Sequence, residues 1–266
     1  MIVALGDAHL DVVVRQLGPL ADDTDTPART LVGPGGQAAN VAAWVAALGG
    51  RSRLLYARAS DLAAGLVAAD LAGRGVELAG PVLDGRTGVV VSLSDGGTRR
   101  SMITDRGVGP RFPAEALEES WLDGCTWLHL PAYSLVKDPI SGAARAAAAA
   151  AARRSARLSV DLSSTAALSE FGVDRFTALL AGLRPDVVFG TQAETALIGE
   201  LPGPEIVVKL GPAGVWASGR VHPAAATEAV DSTGAGDAFA AGYLLGGVSL
   251  GLAAAARAVA TMGAMP

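Results

Sequence analysis

Cysteine is almost absent. The 266 residues contain one, Cys125, which excludes a disulfide framework and a cysteine-rich zinc site. Lysine is nearly as scarce: Lys137 and Lys209 are the only two among 21 basic residues, a bias that fits genome composition better than chemistry. Aromatic residues make up 5%, so the core must be built from Val, Leu, Ile and Ala. With a net charge of −5, the chain lacks the basic excess that broad nucleic-acid binding requires, and no nucleic-acid partner is expected. Long apolar runs are read as falling short of the ~18 residues a membrane span needs, and alanine, as in Ala146–Ala152, carries much of the apolar excess. The N-terminus, Met1-Ile2-Val3-Ala4-Leu5-Gly6-Asp7, has no basic leader and reads as a first strand. These features predict a soluble, cytoplasmic protein without a membrane partner.

What is present is a half-hydrophobic chain, enough to bury a core without metal or disulfide staples. Apolar runs at Ile2–Leu5, Val89–Leu93, Thr126–Leu130, Leu158–Asp161, Val187–Phe189 and Ile206–Leu210 read as strands. Helical segments are predicted at Ala38–Leu48, Asp61–Arg74, Ile140–Ser155, Asp174–Leu183 and Ala235–Leu245. This alternation predicts an α/β fold with a mainly parallel sheet covered on both faces. One region departs from it. Arg86–Ser94 and Thr98–Thr104 flank Asp95-Gly96-Gly97, the pattern of a hairpin. With Val12–Leu17 and Thr30–Val32 these pieces form a small separate sheet, either a plain surface feature or a lid.

Chemistry concentrates at Asp231-Ser232-Thr233-Gly234-Ala235-Gly236-Asp237-Ala238-Phe239. Small residues at 234–236 let a ligand approach the backbone closely. The helix that follows offers unpaired N–H donors and a positive dipole end, which favour a phosphoryl group. Asp237 is negative and suits a proton acceptor for an attacking hydroxyl; alone, it also fits a first-turn acid favoured by the dipole. Upstream, Gly35-Gly36 opens onto Asn40 and a helix, and the amide of Asn40 offers a donor and an acceptor to a sugar hydroxyl.

The 231–239 segment resembles the D-T-x-G-A-G-D-x-F signature of the PfkB/ribokinase family of carbohydrate kinases, and Gly35–Asn40 resembles that family's G-G-x-x-x-N. The resemblance implies a single ribokinase-like domain over 1–266: a three-layer α/β/α sandwich with a small β lid at about 11–17, 28–34 and 86–105. It implies an ATP-dependent, Mg²⁺-assisted sugar kinase of ribokinase or fructokinase type. Asp237 becomes the general base, and Gly234, Ala235 and Gly236 the anion hole. Asp11, His9, Gly35, Gly36 and Asn40 become acceptor-binding. Thr191, Lys209, Gly211, Gly214 and Gly236 line the nucleotide, Glu194 acts on Mg²⁺ through water, and Asp231 and Thr233 match positions that hold a monovalent cation such as K⁺ in some members. A homodimer through the lid is also compatible with the family.

The pattern has departures. Thr191 replaces the usual Asn of N-x-x-E, the stretch between Glu194 and Val207 is short, and Tyr56–Asp61 lacks the usual V-G-x-D form. Two other readings stay open: a nucleoside kinase of the same fold, which low aromatic content disfavours, and a non-catalytic sugar- or nucleotide-binding regulator.

Overall fold

The structure, a computed structural model, describes residues 1–94 and 100–266. The Asp95-Gly96-Gly97 turn expected to close the hairpin lies outside the described residues. In chain order the elements begin with β1 (Ile2–Leu5), β2 (His9–Gln16), β3 (Ala28–Gly35), α1 (Gln37–Ala47), β4 (Ser52–Leu55), α2 (Leu62–Gly73) and β5 (Val76–Ala79). They continue with β6 (Thr87–Ser94), β7 (Arg100–Gly107), β8 (Trp127–Pro131), α3 (Tyr133–Val136), α4 (Ile140–Arg153) and β9 (Arg157–Asp161). Last come α5 (Thr165–Phe171), α6 (Val173–Leu183), β10 (Val187–Thr191), α7 (Gln192–Ile198), β11 (Glu205–Lys209), β12 (Val215–Ala217), β13 (Arg220–His222) and α8 (Ala235–Val259).

Nine strands form the main sheet in the order β13-β12-β11-β10-β9-β8-β1-β4-β5. All pairs from β11 to β5 are parallel; β12 and β13 extend the sheet antiparallel. Side chains alternate faces along a strand, and the core divides accordingly. Val3 and Leu5 pack with Leu128, Leu130, α4 and α6 on one face. Ile2 faces the other way, with α1, Phe189 and Phe239 of α8. Ala4 joins α1 and α2 on that second face. The expected three-layer α/β/α sandwich is thus present. In α4 the buried residues are mostly alanines, small enough to let the helix sit close to the sheet.

The chain leaves β1 toward β4 and β5, then returns to build outward from β8 to β11. The sheet order therefore reverses between β1 and β8, and a crevice opens beyond the carboxyl ends of the strands at that point. A separate four-stranded sheet, β3-β2-β6-β7, accounts for the partly polar pieces around 12–17, 30–32 and 86–104. Its β6–β7 hairpin is antiparallel, whereas β2 and β6 run parallel.

One expectation fails. α8 is long and apolar enough, by length and composition, to cross a membrane. The stretch from Ala238 to Ala256 carries no charged side chain, so the run is longer than the sequence reading allowed. The helix is broken at Gly246 and Gly247, the latter at φ +77, and packs with Trp44 of α1 in one core cluster.

Candidate active site

The segment entering α8 is held by its own side chains. Asp231 Oδ1 accepts from Thr233 N at 2.9 Å and from Thr233 Oγ1 at 2.6 Å, and Oδ2 accepts from Gly263 N at 3.0 Å. Both carboxylate oxygens of the expected cation-binding residue therefore receive protein donors. Gly234 has φ +75, and a side chain there would press on the backbone of Ala264, so this position requires glycine for packing as well as for approach. Of the first amides of α8, which have no intrahelical acceptors, that of Ala235, expected in the anion hole, donates to the Ser232 carbonyl at 3.3 Å, leaving those of Gly236 and Asp237 as candidate donors.

Asp237 follows in the first turn and is buried. Asn40 Nδ2 donates to Asp237 Oδ2 at 2.7 Å, and Gln37 Nε2 donates to Oδ1 at 3.4 Å. The chain reaches this position because Gly36, at φ +107, passes against the Asp7 carbonyl where no side chain fits. Burial pushes the Asp237 carboxyl up to about 7. The hydrogen bond from Asn40 opposes this, the nearby Asp161 adds to it, and Lys209 and Gln37 also oppose it. A carboxyl held near neutrality can accept a proton at working pH. Asn40, expected to offer both amide atoms to a sugar, gives its nitrogen to Asp237. Its Oδ1, like Gln37 Oε1, is buried without a hydrogen-bond partner among the described residues.

Lys209 ends β11 and pairs with Asp161, which ends β9: Nζ lies 2.7 Å from Oδ2. Its ammonium also lies against Gly236, 3.2 Å from where a Cβ would stand. Burial disfavours the charged lysine, but Asp161, together with Asp237 and Glu194, outweighs burial and holds its pKa above the ordinary value. Asp161 escaped the sequence reading, although a signal existed. A single acid closes the apolar run Leu158-Ser159-Val160, and a single lysine closes Ile206-Val207-Val208 two strands away.

Thr191 and Glu194 are joined in a capping box at the start of α7. Thr191 N donates to Glu194 Oε2 at 2.7 Å, and Glu194 N donates to Thr191 Oγ1 at 3.3 Å. Thr191 thus has a structural task, that of satisfying helix-end donors, and Glu194 is buried. Gly214, at φ +100, is required by the approach of the His222 carbonyl, whereas Gly211, at φ +59, borders open space. No group of three or more His, Cys, Asp or Glu side chains able to hold a metal occurs among the described residues.

The other side of the crevice is charged. His9 Nε2 lies 2.9 Å from Asp11 Oδ1, and Nδ1 lies 3.8 Å from Asp7 Oδ2. Arg106, from β7, donates through Nε to Asp7 Oδ2 at 2.6 Å and sits over the ring of Tyr133. Burial opposes the charge on His9, yet the two carboxylates raise its pKa to about 9. Burial alone would raise the Asp7 carboxyl; His9 and Arg106 instead hold it well below the usual range. Gly35 leaves the room that the Asp11 carboxylate occupies. Asp7, Gln37 and Arg106 were not singled out in the sequence.

Comparison with known proteins bears on the family and the fold. The fructokinase of Escherichia coli is 30% identical over 276 aligned positions, covering 93% of this chain and 84% of that protein. The adenosine kinase of Sinorhizobium meliloti superposes with a TM-score of 0.87 at 23% identity, over 100% of this chain and 95% of that one. A putative ribokinase II from Escherichia coli, solved in complex with ATP and Mg²⁺, gives a TM-score of 0.85 at 22% identity, over 99% and 94%. Residues 1–265 match the pattern described as pfkB family carbohydrate kinase. With both glycine turns and the carboxylate between them in place, the chain belongs to the pfkB family of carbohydrate kinases, phosphotransferases that act on an alcohol group.

Proposed function

We propose that this protein transfers the γ-phosphoryl group of ATP to a hydroxyl of a small sugar, with Asp237 as the general base. The observation that carries this reading is the buried Asp237 at the mouth of α8, held by Asn40 and poised near neutrality. In the reaction Asp237 accepts the hydroxyl proton as the acceptor oxygen bonds to the γ-phosphorus. The bond to the β–γ bridging oxygen breaks, and the pair of electrons leaves with ADP. The equatorial oxygens are met by the amides of Gly236 and Asp237, the Ala235 amide being given to the Ser232 carbonyl, and by the Lys209 ammonium beside Gly236, donors fixed before the reaction begins.

Nucleotide would lie along Lys209, Gly211 and the turn before α8. The donor set suits Mg²⁺ only as an ion arriving with the nucleotide phosphates: Glu194 is the nearest acid of the expected motif, and Mg²⁺ keeps few protein ligands when phosphates and water supply the rest. Such an ion would neutralise phosphate charge. No step is assigned to K⁺, because both oxygens of Asp231 already accept from Thr233 and Gly263.

The acceptor would lie against Asp11, Gly35 and Gly36, facing Asp237. A carboxylate can accept from two neighbouring hydroxyls of a sugar. Arg106 lies over the ring of Tyr133, and aromatic residues make up only 5% of the chain; this favours a sugar over a nucleoside. The small sheet acts as the lid, excluding water from the transfer. Its exposed Val32 and Ile103, on one face of that sheet, would also serve a homodimer through the lid. The test is ATP consumption across D-fructose, D-ribose and adenosine, with the product identified. A phosphorylated sugar supports the reading; phosphorylation of adenosine alone, or binding without turnover, overturns it.

A further inference from the structure

The geometry points to His9 as a positioning residue: braced through Asp7 by Arg106 of the small sheet, it holds the Asp11 carboxylate in place for the acceptor and does not meet the acceptor itself. This rests on the reading of Asp11 as the acceptor-binding acid.

Four charged side chains of alternating sign form a line. Arg106 from β7 reaches Asp7, on the link between β1 and β2. Asp7 faces His9 Nδ1 at 3.8 Å, and His9 Nε2 faces Asp11 Oδ1 at 2.9 Å. Nε2 is thus in ion-pair contact with the Asp11 carboxylate, whereas Nδ1 faces Asp7 from beyond hydrogen-bond distance; Nδ1 and Asp11 Oδ1 are both buried without a hydrogen-bond partner among the described residues. Exposure of the acids follows the same order: the side chain of Asp7 is 7% exposed and that of Asp11 20%. Asp7 and His9 are the buried middle of the line, and Arg106, with a side chain 30% exposed, and Asp11 are its open ends. Two glycines make room for it. A side chain at Gly35 would occupy the space of the Asp11 carboxylate, and one at Gly109 would crowd Asp7.

An unpaired buried charge is costly. With a neutral His9, Asp7 would keep Arg106, but Asp11 would lose its only counter-ion in this line and be free to turn. The protonated ring therefore fixes the orientation of Asp11. The other groups around His9 are uncharged where they pair with its strand: Gly35 opposite it on β3 and Val89 beside Leu10 on β6. Tyr133 of α3 underlies Arg106. The carboxylates of Asp7 and Asp11 keep the His9 proton to about pH 9 despite burial, so the hold on Asp11 should weaken only above that value. Because Arg106 and Asp11 stand on strands of the small sheet and Asp7 on the link that leaves β1 of the large one, the line also joins the two sheets beside the acceptor.

The experiment combines imidazole titration by NMR with steady-state kinetics on D-fructose, D-ribose and adenosine as probes. His9 should titrate near pH 9 in the wild type and more than one pH unit lower in Asp11→Asn. His9→Ala should raise the acceptor KM about ten-fold at neutral pH, with the ATP KM and kcat within two-fold. His9→Gln, which keeps a donor but no charge, should give a smaller rise and an acceptor KM that stays flat from pH 7 to 10, where the wild type climbs. Arg106→Gln should move the acceptor KM in the same direction by a lesser factor. An imidazole that titrates near 6.5 overturns the inference. So does a His9→Ala enzyme with an unchanged acceptor KM while Asp11→Ala raises it; the acceptor site then survives and only the role of His9 falls. If Asp11→Ala itself leaves the acceptor KM unchanged, the acceptor site has been misread and the inference falls with it.

Discussion

Asn40 Nδ2 donates to Asp237 Oδ2 at 2.7 Å, joining the first turn of α1 to the first turn of α8 across 197 positions of the chain. The two glycine-led helix starts, far apart in sequence, thus meet on one carboxylate. Burial raises the pKa of that carboxylate, and the Asn40 bond restrains the rise.

The pH dependence follows from this balance. Asp237 must be ionised to accept a proton, so kcat/KM should rise with pH and level off above an apparent pKa near 7. Asn40→Leu removes a bond that favours the ionised form and should move the curve to higher pH. Asp161→Asn removes a neighbouring negative charge and should move it lower. Opposite shifts in pH–rate profiles check the assignment; shifts of the same sign contradict it.

The Lys209–Asp161 pair makes a separate prediction. Lys209→Met should lower kcat by about 10²–10³-fold, the scale of losing one fixed charge on the transferring group. It should also lower stability by about 3–5 kcal/mol, because a buried carboxylate is left unpaired. The double variant Lys209→Met, Asp161→Leu should regain most of that stability and none of the activity. Denaturant titration beside single-turnover kinetics separates the two effects.

Gly35 tests the acceptor side. Gly35→Ala places a methyl group where the Asp11 carboxylate stands. The acceptor KM should rise at least ten-fold while the ATP KM stays within two-fold, as measured by initial rates with each substrate varied in turn.

A dimer through the small sheet would bury Val32 and Ile103, which share one face of that sheet and are 55% and 60% exposed in one chain. Sedimentation should show a dimer that Ile103→Asp, on that sheet, converts to monomer. A wild-type monomer at tens of micromolar contradicts this proposal and leaves the phosphoryl-transfer reading intact.

Much of this was legible in the sequence because the informative signals are local. Apolar strands alternating with helices announced the sandwich, and the two glycine turns announced the helix starts. What was hidden depends on residues brought together by sheet order. Asp161 and Lys209 end strands separated in sequence by β10, and Arg106 reaches Asp7 from another sheet. Thr191 looked like a damaged metal motif; its hydroxyl caps α7, a role that either reading of the sequence allows. Residue types alone did not indicate that both nitrogens of His9 face acids.

The central claim is tested most directly by Asp237→Asn. Asparagine keeps an acceptor for Asn40 but cannot take a proton. A carboxyl whose pKa is raised in the fold contributes stability that is complete below its unfolded value near 4 and is lost as pH rises through about 7. The variant should therefore be more stable than the wild type at pH 8, by on the order of 2–4 kcal/mol. Single-turnover transfer from ATP to the best acceptor, measured at pH 8 on this folded variant, should be about 10²–10⁴-fold slower. A folded Asp237→Asn enzyme that transfers phosphoryl groups at nearly the wild-type rate would contradict the account.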